Sequence, residues 1–95
     1  GNYFEAYYNL GAMHFNTAAE MVNKANDIPP NKIADYEAAK KKFEAKFREA
    51  VPYLEKALEL SPKDVSTMES LKQIYTKLNQ LDKASEMKKR IEASK

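Results

Sequence analysis

Three short breaks divide this sequence into four helix-favouring segments, and they constrain the fold more than any other feature. Pro29-Pro30 and Ser61-Pro62 cannot continue a helix, and Asn79-Gln80 separates two further apolar stretches. The chain contains only two glycines, and Ala, Leu, Lys and Glu, which are good helix formers, dominate. We predict an all-α fold with about four helices over residues 3–25, 31–60, 65–78 and 81–93, the second capped by Asn31.

Apolar residues recur at spacings of three and four in the last three segments, as in helices that bury one face. The short connections predict that consecutive helices lie antiparallel to each other. The predicted buried residues are Ile33, Tyr36, Phe43, Phe47, Ala50, Leu54, Ala57 and Leu58 in the second segment, Val65, Met68, Leu71, Ile74, Tyr75 and Leu78 in the third, and Leu81, Ala84, Met87 and Ile91 in the fourth.

The first segment differs because no charged residue occurs from Ala6 to Ala19 and apolar side chains lie on every side of the helix. A helix of this kind is usually buried on more than one side. Three further helices of a short chain cover only part of it. We therefore expect the first helix to have an additional partner: a preceding helical unit, a second copy of the chain, or a ligand.

A weak internal repeat accompanies these helices. The pattern Ala50-x3-Leu54-x2-Ala57 returns as Ala84-x3-Lys88-x2-Ile91, which is an offset of 34 residues (84 − 50). The pattern of Tyr7, Leu10-Gly11 and His14 returns at Met68, Leu71-Lys72 and Tyr75, an offset of 61 residues (68 − 7). Over residues 5–16 and 48–93 the sequence resembles the tetratricopeptide repeat, a helix–turn–helix unit of 34 residues with small residues where helices touch.

The resemblance implies a single domain over residues 1–95 with an alpha-alpha superhelix, in which residues 1–62 form a first, elongated repeat and residues 63–95 a C-terminal repeat. The first unit carries 27 extra residues (61 − 34), so its hairpin should project beyond the second by roughly 15 Å. Arrays of this type usually need three or more units, so we expect a fragment of a longer array or an oligomer.

In the family, partners bind a concave face that is lined by the first helix of each unit. Carried over by position, that face implies a partner-binding site formed by Glu5, Tyr8, Ala12, Phe15, Asn16, Ser66, Glu69, Gln73, Thr76 and Lys77. Some members clamp a C-terminal carboxylate with Lys and Asn, but Tyr8 and Ala12 occupy the corresponding places here. The resemblance therefore implies a more apolar protein segment, or another helix, as the partner.

Catalysis, cofactors and metals find little support in the residues. The chain has no cysteine, no Gly-rich phosphate loop and no nucleophile elbow. The single histidine, His14, is far from Glu5 and Glu20 along its helix, so we interpret it as a packing residue. The basic run Lys40-Lys41-Lys42 alternates with acidic residues and the pI is about 8.7, which predicts a solvated face and no nucleic-acid partner.

No stretch has the length of apolar sequence that a membrane span needs, so we expect no membrane association. No signal peptide is recognisable, and the compartment stays open between cytoplasm and export. The leading hypothesis is a non-enzymatic protein-interaction scaffold that binds on the concave face or through the elongated hairpin. The alternatives are a structural bundle that self-associates through the first helix and, with less support, a small-molecule or enzymatic bundle that uses His14.

Overall fold

Four α-helices make up the protein in the computed structural model, which describes residues 3–95. They are α1 (Tyr3–Asn26), α2 (Ile33–Leu60), α3 (Val65–Lys77) and α4 (Leu81–Ala93). The predicted all-α class is confirmed, and the helix ends differ from the sequence expectation by at most two residues.

The start of α2 departs from the expectation that Asn31 caps it. Lys32 occupies the capping position instead: its carbonyl accepts the Tyr36 N–H at 3.1 Å, and no side chain caps this helix end. The physical reason is a tight turn, in which the Lys32 N–H donates to the Pro29 carbonyl at 2.9 Å. This turn places Asn31 inside the bend and one residue before the helix entrance.

The other two connections are fixed by polar groups at helix ends. The Asp64 carboxylate accepts the Thr67 N–H at 3.0 Å and the Thr67 hydroxyl at 2.7 Å, which satisfies donors of the first turn of α3. At the other end Asn79 adopts a left-handed conformation (φ 59°), and the Gln80 N–H returns to the Tyr75 carbonyl at 2.7 Å. This is a Schellman ending in which asparagine takes the place usually held by glycine.

The helices form two antiparallel hairpins, α1–α2 and α3–α4, and α3 joins them by packing on α2 and, less extensively, on α1. The small residues expected at helix contacts are all buried: Gly11, Ala50, Ala57 and Ala84. The core between the hairpins centres on Leu54, Leu71, Ile74 and Thr67, whose side chains are fully buried.

Three residues of the predicted apolar stripes do not belong to the core. Ile33 is 69% exposed, Val65 38% and Leu81 58%. Each is the first residue of its helix, where no neighbouring element covers the side chain. The spacing rule identified the correct faces and extended them one turn too far toward the helix starts.

The first hairpin is much longer than the second. The helix α2 has 28 residues and α3 has 13, and α3 begins directly after the C-terminal end of α2. At a rise of 1.5 Å per residue, the loop end of the first hairpin extends about 20 Å past the end of α3. The largest dimension of the molecule, 46 Å, follows this long hairpin.

Gly11 is the position where the two long helices approach most closely, and replacing it tests the packing. A Cβ at Gly11 would lie 2.5 Å from Leu54 Cγ and 3.3 Å from the Leu54 backbone nitrogen. We expect Gly11→Ala to lower the free energy of unfolding by about 1–2 kcal/mol despite a gain in helix propensity of about 1 kcal/mol. Urea denaturation followed by circular dichroism measures this change.

A second substitution at the neighbour separates crowding from other causes. Leu54→Ala alone should cost about 2–5 kcal/mol because it opens a cavity. In the Gly11→Ala background the same change should cost less, because the added methyl occupies part of that cavity. Strict additivity of the two changes would show that Gly11 and Leu54 are not coupled through contact.

Candidate functional site

A groove between the two hairpins is the surface of most interest. We call it the α1–α3 groove; its volume is about 390 Å³, within the range of binding clefts in proteins. Its lining combines apolar residues of α1 and α2 with polar and basic residues of α3: Phe15, Ala19, Val22, Asn23, Phe47, Lys72, Gln73, Thr76 and Lys77.

The floor of the groove is apolar and held in place by aromatic contacts. Phe15 packs edge-on against Phe47, with ring centroids 5.9 Å apart, and Phe47 packs in turn against Phe43 at 6.3 Å. Phe43 and Phe47 are buried, whereas Phe15 and Val22 are only half-buried. The rigid core thus supports an apolar strip that solvent still reaches, and apolar ligand groups can displace that solvent.

The α3 side of the groove carries its only charged lining residues, Lys72 and Lys77. Within residues 3–95, neither ammonium group lies within ion-pair distance of a carboxylate. By contrast, Lys46 and Lys56 on α2 are paired with Glu49 and Glu59 at 2.9 and 3.4 Å. The groove therefore presents an apolar floor beside two unpaired positive charges.

Four of the ten residues predicted for a partner-binding face line this groove: Phe15, Gln73, Thr76 and Lys77. The other six do not. Glu5, Asn16, Ser66 and Glu69 are exposed outside it, while Ala12 is half-buried beyond its lining. Tyr8 stacks on Phe4 at 5.7 Å and packs against the core.

Five lining residues were not anticipated: Ala19, Val22, Asn23, Phe47 and Lys72. Positions carried over from a unit of ordinary length end near Asn16, whereas α1 continues for ten more residues to Asn26. A signal was present in the sequence, because Ala19 and Val22 follow Phe15 at spacings of four and three. Extending the helical period through the longer helix would have found them.

The side of α1 away from α3 is a second apolar surface, which we call the outer face: Tyr3, Leu10 and Met13. These side chains are 78%, 41% and 53% exposed. They lie at helical spacings of seven and three, and no charged residue interrupts α1 from Ala6 to Ala19. Within the described residues no other helix covers this face, so the expected additional partner of α1 has a surface to occupy.

His14 lies at the edge of the outer face, between α1 and α2. Its ring stacks on Tyr53 with centroids 5.6 Å apart, and its Nδ1 lies 3.4 Å from a Glu49 carboxylate oxygen. The hydrogen bond and charge of Lys46, more than the charge of His14, lower the pKa of Glu49 below its usual value. Across residues 3–95 no cluster of three or more acidic, histidine or cysteine side chains could hold a metal ion.

On the far side of the molecule, a depression of about 400 Å³ between α2 and α4 is closed by its own interactions. The Tyr75 hydroxyl donates to Glu55 at 2.6 Å, Arg90 donates to the Pro62 carbonyl at 3.1 Å, and the Lys83 ammonium lies 5.6 Å above the Tyr75 ring. Because these polar groups already have partners, they link the helices and offer little to a ligand.

None of the described helices is both long enough and apolar enough to cross a membrane. Comparison with known proteins finds no matching family model, no matching curated protein and no matching solved structure. What the geometry defines is an all-helical protein of two unequal hairpins with an apolar groove between them.

Tyr75 provides a test of the α2–α3 link through its pH dependence. Burial, followed by the hydrogen bond to Glu55, raises the pKa of Tyr75 well above the ordinary value of about 10 that it has in the unfolded chain. The folded state therefore favours the neutral phenol. The resulting stabilisation is complete below about pH 10 and is lost as the pH rises further.

We expect Tyr75→Phe to lower the free energy of unfolding by about 1 kcal/mol at pH 7. Above about pH 10 this difference from wild type should shrink, because only the wild type loses the stabilisation of a neutral phenol. Urea denaturation at pH 7, 9, 10 and 11 measures it. Tyr3→Phe, at a residue that is 78% exposed, is the control and should change nothing. Equal slopes for wild type and Tyr75→Phe would contradict the assignment.

Proposed function

We propose that this chain is a non-enzymatic protein-interaction module of tetratricopeptide type, which binds a segment of another protein in the α1–α3 groove. The observation that carries the proposal is the half-buried apolar strip of Phe15 and Val22 above the buried Phe47. Apolar side chains in a groove of this size favour a ligand that brings its own apolar surface, and aromatic residues are enriched in protein interfaces.

Two features of the sequence support a binding role. The 34-residue echo between Ala50 and Ala84 relates the hairpins to a fold that commonly binds protein segments. The absence of a recognisable catalytic motif favours binding over chemistry. The long α1–α2 hairpin lengthens the groove on the α1 side, so that residues up to Asn23 take part in its lining.

Panning a displayed library of random 16-residue peptides tests the groove with ligands that are selected by the protein itself. Peptides that enrich on the wild type should bind Val22→Ser about tenfold more weakly, because burying a valine side chain contributes about 1.5 kcal/mol. Fluorescence anisotropy measures the affinities, and circular dichroism verifies that each variant is folded.

Met13→Ser is the matched control, since Met13 is an exposed apolar residue of the same helix on the opposite side. It should leave the affinities unchanged. Lack of enrichment, or equal affinity for wild type and Val22→Ser, would count against the groove as a binding site.

A second candidate is self-association through the outer face, favoured by its exposed Tyr3, Leu10 and Met13. In an isologous contact each residue of the interface meets the same surface of a second copy, which an uncharged helix allows without like-charge repulsion. These three side chains expose roughly 300 Å² in each copy, against about 800 Å² per partner in a standard interface. The contact would thus be weak and reversible.

Sedimentation equilibrium should detect a reversible dimer only at high protein concentration, consistent with the small area. Leu10→Glu should abolish it because each copy would bring a charge to the contact. Leu81→Glu, at an equally exposed leucine of α4, should not. A strict monomer at every concentration would exclude this second candidate.

A further inference from the structure

The charge of the α1–α3 groove specifies its ligand further, and this inference rests on the proposed function. Of the nine lining residues, only Lys72 and Lys77 are charged. The neighbouring carboxylates of the same helices, Glu20 on α1 and Glu69 on α3, are not part of the lining. A ligand in the groove therefore meets positive charge and no negative charge.

Lys72 has the more restricted environment of the two lysines. It is half-buried, whereas Lys77 is exposed, and both line the same groove as the apolar Phe15 and Phe47. An ammonium group beside an apolar surface is less well solvated than one in open water, so a carboxylate placed next to it interacts more strongly than at a fully exposed site. The other basic side chains near a depression, Lys83 and Arg90, already have partners.

The spacing of the two lysines also restricts the ligand. Five residues of helix separate them, which corresponds to about 7.5 Å along the axis of α3. One carboxylate cannot contact two ammonium groups at that separation with good geometry, so two acidic side chains are required. Acidic residues about one helical turn apart, or two residues apart in an extended segment, provide a comparable distance.

We propose that the α1–α3 groove selects an acidic amphipathic protein segment. A large apolar side chain of the segment lies on Phe15, Val22 and Phe47, and two carboxylates pair with Lys72 and Lys77. The apolar floor supplies most of the affinity, and the charges supply orientation and discrimination against neutral or basic segments. A nucleic acid would satisfy the lysines but would leave the apolar floor without a partner.

The peptides obtained by panning on the wild type provide the test. Acidic residues should be enriched among them beside a large apolar residue. The affinity of the strongest peptide should fall at least tenfold for the double variant Lys72→Glu/Lys77→Glu and several-fold for the milder Lys72→Gln/Lys77→Gln. Replacing the Glu residues of the peptide by Gln should weaken binding to the wild type to a similar degree, and raising the salt from 50 to 200 mM should weaken it further.

Lys88→Glu/Lys89→Glu is the control, because it makes the same change of charge at two exposed positions of α4 outside the groove. It should alter the affinity less than twofold. The inference is overturned if the enriched peptides carry no acidic excess, if the two double reversals have equal effects, or if a single-stranded 16-mer oligonucleotide displaces the peptide. Peptides that depend on Val22 but not on the lysines would overturn this inference alone, whereas a failure to enrich any peptide would overturn the proposed function.

Discussion

The close contact of α1 and α2 at Gly11 is the constraint on which the rest of the structure depends. Leu54 lies where a Cβ at Gly11 would be, so the two longest helices meet with a leucine seated against the backbone of its neighbour. That contact brings the apolar faces of both helices together over their length, because antiparallel helices that touch at one point can then interlock along their ridges. Ala18 and Ala25 continue the line of small buried residues on α1.

The groove is a consequence of this packing combined with the unequal lengths of the hairpins. Phe47 takes part in both, since it is buried in the core and also forms the floor beneath Phe15 and Val22. The short α3 covers one part of α2 and leaves the adjacent strip of α1 exposed to solvent. The apolar surface of the groove is thus the part of the core that α3 is too short to cover, and the lysines of α3 lie at its border.

The two sides of α1 explain why this helix has so few charges. One side faces the groove through Phe15, Ala19 and Val22, and the other is the outer face of Tyr3, Leu10 and Met13. A helix that is fully covered on one side only would be expected to carry charge on the remainder. The charged residues of α2, by comparison, form ion pairs such as Lys46–Glu49 on its exposed side. The composition of α1 therefore agrees with contacts beyond the four helices of this chain.

The sequence by itself determined the helical class, the breaks between helices and the faces that enter the core, because prolines, capping residues and the spacing of apolar side chains act locally. It also identified Phe15, Gln73, Thr76 and Lys77 as neighbours of a binding face. Only the tertiary structure decided that Phe47 and Lys72 join them, that Glu49 reaches His14, and that Tyr75 bonds to Glu55. These pairs are distant in sequence, and their meeting depends on the relative positions of packed helices, which local periodicity does not encode.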